Sequence, residues 1–409
     1  MYPLIAIYCL LFVWLSHSKT NWALYLIVVA LPSYLIRFQL FNVPFTLLEA
    51  MILLLFLVVL FKKQIKFELK NIYTLPIVAI LIFATISIFK STDTIGALGI
   101  WKAYFIEPVL LLLIFTSIVK NKIQLNNIFK ALGLSVIYLS LIAFWQYFSG
   151  WNVSEAFLNI NGSVDRVTSI FSYPNALGLY IGPIIIIFTG LLFQPKDKIF
   201  KFLVIALGLI TIVLAKSEAA LLAILAIWAI WGLLYKKTRI IVISIIVIGV
   251  IFLSLSPQAL EPISDKVLLK DYSGYVRRLI YLESWEMLKD NWFLGGGLNN
   301  YRTAIVPYHL PTFEYFMYPH NIIFNFWTEL GILGLLSFIW LLVVFLWQNI
   351  VNWFKNKNIL NLILVFTTFE IIIHGLVDVP YFKNDLAVLF WVVIGISILI
   401  NKKSSIITP

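Results

Sequence analysis

The stretch Tyr318-Pro319-His320-Asn321-Ile322-Ile323-Phe324-Asn325-Phe326-Trp327-Thr328-Glu329-Leu330-Gly331-Ile332-Leu333-Gly334 closes a long polar segment and opens an apolar run that continues to Trp347. Asn321, Asn325 and Glu329 recur at four-residue steps, which puts them on one face of a helix. A face that polar is excluded from lipid, so it lines a cleft or packs against protein. Gly331 and Gly334 then allow a second backbone to come close. At this stretch the chain re-enters a membrane, with His320 at the boundary.

Working outward, the whole chain has the same character. Of its 409 residues 62% are hydrophobic and 12% charged, against roughly a quarter charged in soluble domains, so this is a polytopic membrane protein. A net charge of +11 suggests nucleic acid, but the Lys and Arg sit in short clusters between apolar runs, which marks topology instead. The single Cys9 excludes an internal disulfide and any cysteine metal site. The first apolar run lacks a charged start and a clear cleavage site, and is read as retained.

The expected fold is an all-α transmembrane bundle of about 12–13 spans, near 2–16, 21–36, 45–61, 72–90, 100–119, 129–148, 175–194, 200–215, 218–235, 239–255, 321–347, 359–377 and 386–400. Basic clusters at Lys62-Lys63, Lys120, Lys196, Lys236-Lys237, Lys355 and Lys402-Lys403 fall in alternate loops and are assigned to the cytoplasmic side. The remaining connections then face outward, including 149–174 and the large loop 256–320. The organisation is thus a bundle over 1–255, the loop 256–320 and C-terminal helices over 321–409. Within the loop, Ser273 to Asp290 reads as a short helix capped by Ser273, stopped by Gly295-Gly296-Gly297.

The residues suited to chemistry lie on the outward side. Arg166 precedes a Pro-Asn turn, and Arg277 and Arg278 are placed in the first turn of the loop helix. Guanidinium and helix N–H groups together suit phosphate oxygens, although lipid headgroups or nearby acids are equally open to these arginines. His320 is the candidate for proton transfer, imidazole being the side chain that titrates near neutrality. His374 and Asp378 stand four residues apart and are placed to pair. No metal is expected, because the four histidines are scattered and no carboxylates have ligand spacing. No nucleotide-binding loop occurs, so no cofactor is expected and the energy of any reaction resides in an activated substrate.

In these residues the chain resembles the O-antigen ligase superfamily, which also holds O-antigen polymerases and protein O-oligosaccharyltransferases. The family signature is His, then Asn, Ser or Gln, nine residues, Gly, two residues and Gly, Thr or Tyr; His320-Asn321, Gly331 and Gly334 match it throughout, with Glu329 at the family's frequent Glu. The segment Arg166 to Asn175 is similar to the family's Arg-x-Thr-Gly-x-Phe…Pro-Asn, with Ser169 in place of Gly. Arg277, Tyr281 and Gly295-Gly296-Gly297 resemble its loop helix, and His374…Asp378 its closing motif. The chain departs from the pattern at Lys216-Ser217-Glu218, where the family often has Ser-Arg-Gly, and Lys216 is the residue able to replace the missing charge.

The resemblance implies an enzyme of the bacterial cytoplasmic membrane with its active site on the extracytoplasmic side. It implies inverting, metal-independent transfer of a glycan from a polyprenyl-diphosphate donor to a glycan, lipid or protein acceptor. Arg166, Arg277, Arg278 and Lys216 would bind the donor, His320 would act as general base, and Asn321 and Glu329 would orient it or the acceptor. A polymerase and a protein O-oligosaccharyltransferase share these motifs. A transporter is the rival class, and it calls for broken helices in paired halves, which the sequence does not display.

Overall fold

The computed structural model describes residues 2–40, 43–66, 71–255, 264–266, 268–310 and 314–402. Lys403 and parts of the expected loop 256–320 lie outside the described residues. Each expected span has a helix: α1 (Tyr2–Ser18), α2 (Thr20–Val29), α3 (Leu47–Phe61), α4 (Thr74–Ile88), α5 (Thr94–Trp101) continuing into α6 (Glu107–Ile118), α7 (Lys122–Ser149), α8 (Pro174–Leu191), α9 (Lys198–Leu214), α10 (Glu218–Leu234) and α11 (Lys236–Leu255). After the loop helix α12 (Tyr272–Asp290) come α13 (Ile322–Asn356), α14 (Ile359–Gly375) and α15 (Asn384–Asn401). Among the described residues, five helices are long and apolar enough to cross a membrane, α7, α8, α13, α15 and the joined α5–α6, and several shorter apolar helices accompany them. With 10 residues, α2 is about 15 Å long, half a hydrocarbon core, as its short apolar run foreshadows.

The burial pattern fits a bundle in lipid. Nearly every residue of α8 and of α15 is buried, which places both helices inside the bundle. By contrast α11 packs chiefly on α10 and leaves Ile240, Ile245 and Ile248 exposed, as a lipid-facing helix does. Gly182 and Gly190 let α14 lie directly on α8: a Cβ at Gly182 would run into Glu370, and one at Gly190 into Ile363. That pairing is antiparallel, so the Pro174 end of α8 is level with the Gly375 end of α14. At the opposite end Asn349, Asn361, Ser397 and Asn401 join α13, α14 and α15 through side-chain hydrogen bonds of 2.7–3.2 Å.

Three local features differ from the sequence reading. A small antiparallel hairpin, β1 (Arg37–Leu40) with β2 (Val43–Thr46), interrupts the all-α pattern, its Phe38 and Phe45 rings stacked across the strands at 6.1 Å. Thr46 ends it by forming a reciprocal cap with Glu49 at the start of α3. The cap of α12 is Asp271, whose carboxylate accepts from Gly274 N, and not Ser273. Arg277 and Arg278 consequently stand in the second turn, beyond the reach of the helix N–H groups that the sequence reading assigned to them. Finally α13 is not continuous. Gly331 adopts φ 75° and ψ 178°, and the segment Phe293–Gly296 occupies the break. There Ile332 N donates to Phe293 O at 3.2 Å and Gly296 N to Thr328 O at 2.7 Å, so the loop takes up backbone groups freed by the break.

Candidate functional site

His320 directly precedes Asn321, the N-cap of α13, whose Oδ1 accepts from Ile323 N and Phe324 N. Its backbone is left-handed, with φ 50°, a conformation that costs a residue with a Cβ about 1–2 kcal/mol. Strain of this kind persists where surrounding contacts enforce it. Here they do: the single hydroxyl hydrogen of Tyr281 on α12 is shared between His320 O at 3.1 Å and Leu376 O at 2.9 Å. Asn321 Nδ2 donates to the same Leu376 O at 2.9 Å, and Arg277 Nε to Val377 O at 2.9 Å. Three donors from two distant segments therefore pin the turn after α14.

That pinned turn delivers Asp378. Its Oδ1 lies 3.5 Å from His320 Nδ1, which is buried, while the imidazole as a whole stays 22% exposed. The separation is an ion-pair contact, longer than a normal hydrogen bond, and such contacts commonly tighten when substrate binds. Burial alone pushes the Asp378 carboxyl up, but the neighbouring His320, then His374 and Lys383, outweigh it and hold the group below its ordinary value. Asp378 is thus an ionised partner for the imidazole. Phe316 and Tyr318 flank the ring, the latter at 4.7 Å between centroids.

A second group is built on the segment before α8. Gln146 Oε1 accepts from Thr168 N and Ser169 N at 2.7 and 2.8 Å, holding this segment against α7. Ser169, at the family's usual Gly, has φ 54°, the left-handed conformation that a glycine adopts freely. Arg166 Nε donates to Ala215 O at 2.9 Å, and its Nη2 to Asn175 Oδ1 at 2.9 Å and to Lys216 O at 3.3 Å. Burial lowers the pKa of Arg166 somewhat, opposed by Asp165 and Glu218, and a guanidinium keeps its charge regardless. Lys216 Nζ pairs with Asp165 at 2.6 Å, and Glu218 with Lys266 of the long loop, so Glu218 does not cancel the Lys216 charge.

The structure therefore brings Arg277, His320 and Asn321 together with Tyr281 and Asp378, and separately joins Arg166 to Lys216. The antiparallel register of α8 and α14 sets the two groups at the same end of the bundle. Arg278 is exposed and stands apart. Glu329 is not with them: its Oε2 accepts from Asn299 N at 2.6 Å and its carbonyl from Ser87, so it fastens the Gly-rich loop and does not orient His320. The expected His374–Asp378 pair is not formed either. His374 instead lies 3.5 Å from Glu370, one turn earlier on its own helix, and Asp378 is turned to His320. The sequence reading had Asp378 and Tyr281 in its motifs but could not assign them to His320, because nothing local links residues so far apart in the chain.

Residues 203–339 match the family model described as O-antigen ligase, about a third of the chain. The matched region holds Lys216, α12 and the signature from His320 to Gly334, and it supports the resemblance drawn from the motifs. No curated protein matches the chain.

Proposed function

We propose that this membrane protein, with an O-antigen ligase match over 203–339, transfers a polyprenyl-diphosphate-linked oligo- or polysaccharide to an acceptor hydroxyl on the extracytoplasmic side of the bacterial cytoplasmic membrane. His320 is the general base. As the acceptor oxygen bonds to the donor's anomeric carbon, the hydroxyl proton passes to the imidazole. The bond from that carbon to the diphosphate oxygen breaks, and its electron pair leaves with the diphosphate. Attack from the face opposite the leaving group inverts the anomeric centre. Since Nδ1 faces Asp378, Nε2 is the nitrogen left for the acceptor.

The observation that carries this reading is the convergence on His320 of an ionised Asp378 and of the Tyr281 hydroxyl that holds its backbone, at the same end as Arg166 and Lys216. Arg166 keeps Nη1 and Arg277 keeps Nη2 uncommitted among the described residues, so each offers donors to phosphate oxygens. Charge building on the leaving diphosphate is what they would stabilise. Arg278, which stands apart, and Lys216, which Asp165 engages, would contribute only at longer range, and no cofactor is invoked. If the acceptor is a second lipid-linked repeat the enzyme is a polymerase; if it is a protein hydroxyl, an O-oligosaccharyltransferase. A transporter needs its helix break to line a cavity, whereas the break at Gly331 is filled by Phe293 and Leu294.

The test uses purified protein in nanodiscs with a polyprenyl-diphosphate donor and a mixed set of acceptors. His320→Ala should abolish transfer while melting and donor binding are unchanged, and the acceptor consumed separates ligase from polymerase. Equal transfer by both proteins removes His320 from the mechanism.

A further inference from the structure

The start of α15 carries two buried side chains, Asn384 and Asp385, whose Oδ1 atoms have no hydrogen-bond partner among the described residues. Beside Asn384, Glu107 of α6 is fully buried, and both its carboxylate oxygens are likewise without a partner. Its neighbour Glu49 is satisfied: Lys102 pairs with it at 3.0 Å and Asn384 Nδ2 approaches it at 3.4 Å. An unpartnered buried acceptor costs about 1–3 kcal/mol, and packing alone gives no reason to gather several in one place.

The turn Leu31–Leu35, which holds Tyr34, and the segment Lys102–Ile106, which holds Tyr104, both pack against α15, and the Tyr104 ring lies 6.3 Å from that of Phe382 just before it. Asp385 lies within electrostatic reach of Tyr34 and Tyr104, and Tyr34 in turn of Tyr318 and Arg37. Tyr34, Tyr104 and Tyr318 are only partly buried, Arg37 is exposed, and Tyr318 is the ring that lies 4.7 Å from His320. Tyr104 belongs to a π-helical segment, Lys102–Ile106, between α5 and α6. Such irregular turns concentrate at functional sites.

We infer that this patch beside His320, formed by Tyr34, Tyr104, Tyr318, Asn384 and Asp385, is a carbohydrate subsite that holds the acceptor sugar. Calling its ligand the acceptor rests on the transferase reading; that it binds a sugar does not. The unpartnered oxygens need hydrogen-bond donors, and sugar hydroxyls supply them. Tyrosine rings offer a flat apolar face with a polar rim, which suits the C–H face and hydroxyl edge of a pyranose. A phosphate brings only acceptor oxygens of its own, whereas sugar hydroxyls bring donors, so the diphosphate goes to the arginines and the sugar to these acceptors. Among the described residues no three His, Cys, Asp or Glu side chains are grouped as metal ligands, which favours a hydroxyl-bearing ligand over a cation.

The experiment is saturation-transfer NMR on the full chain in nanodiscs, irradiating aromatic protons and reading a panel of free disaccharides, alongside transfer assays at varied acceptor concentration. Wild type should saturate at least one sugar. Asp385→Asn and the isosteric Tyr104→Phe should reduce that signal at least five-fold and raise the acceptor KM at least ten-fold, with the donor KM and melting unchanged. His320→Ala should keep the saturation signal and lose transfer. No saturation of any sugar, or a signal that folded Asp385→Asn and Tyr104→Phe both retain, overturns the subsite even if transfer occurs. Sugar binding without transfer to any acceptor leaves the subsite standing and overturns the transferase reading instead.

Discussion

Replacing Gly331 by Ala tests the break in α13 and the loop that fills it. Gly331 has φ 75° and ψ 178°, a region essentially reserved for glycine, where another residue costs about 1–3 kcal/mol. A Cβ there would overlap the Phe293 carbonyl and lie 2.8 Å from Leu294 Cα, so the loop backbone must retreat. Retreat sacrifices the bonds from Ile332 N to Phe293 O and from Gly296 N to Thr328 O, each worth about 1 kcal/mol. The total loss comes to about 3–5 kcal/mol. Gly99→Ala is the matched control: Gly99 lies inside α5 with nothing within 4 Å of a Cβ, so Ala should stabilise it by about 0.5–1 kcal/mol. Parallel melting of both proteins in nanodiscs should give shifts of opposite sign, the Gly331→Ala drop several times larger. A Gly331→Ala protein that melts with or above wild type would refute the glycine-dependent insertion.

Other predictions concern the site. Arg277→Lys cannot serve Val377 O and Ser273 while presenting a fork to phosphate, so the donor KM should rise at least ten-fold, about 1.4 kcal/mol, with the acceptor KM unchanged. Arg166→Lys should behave alike, and a selective change in acceptor KM would reverse the assignment. The Asp378 carboxyl is held low when folded, so its contribution is complete above the unfolded value of about 3.9 and is lost only as pH falls through the lower folded value. The melting gap between wild type and Asp378→Asn should therefore not shrink from neutral pH down to about pH 4, and should shrink only beneath it; a gap that decays between about pH 7 and 5 contradicts the pairing. Asp271→Ala should cost about 1 kcal/mol through loss of the α12 cap, read as a lower melting temperature, whereas Ser273→Ala should leave the cap intact.

Much of the fold is legible because apolar run length reports local structure directly: α14 and α15 begin and end within two residues of the expected spans, and α13 begins where expected although it runs on to Asn356, beyond the expected end at Trp347. The polar spacing of Asn321, Asn325 and Glu329 likewise identifies a face that packs against protein, all three being buried. What the sequence conceals is partner choice across long separations. Asp378 looks equally placed for His374, and only the turn held by Arg277, Tyr281 and Asn321 directs it to His320. Glu329 sits on the right helix near His320 in sequence, yet the docked Gly-rich loop claims its carboxylate through Asn299. The α12 cap goes to Asp271 although Ser273 is as good a capping residue, since a two-residue shift in helix start leaves apolar periodicity almost unchanged.

The pinning of residues 376–378 links two events that would otherwise be independent. Arg277 grips the Val377 carbonyl with Nε while its Nη2 is uncommitted among the described residues, so a diphosphate bound there, as proposed, would pull on the same short turn that aims Asp378 at the imidazole. On the proposed reading, donor capture and alignment of the base share one lever. Such a protein would load its donor first and take the acceptor second, and a wandering water would meet a histidine still out of alignment. Hydrolytic waste of an expensive lipid-linked glycan would be curbed by timing, without any door that has to shut.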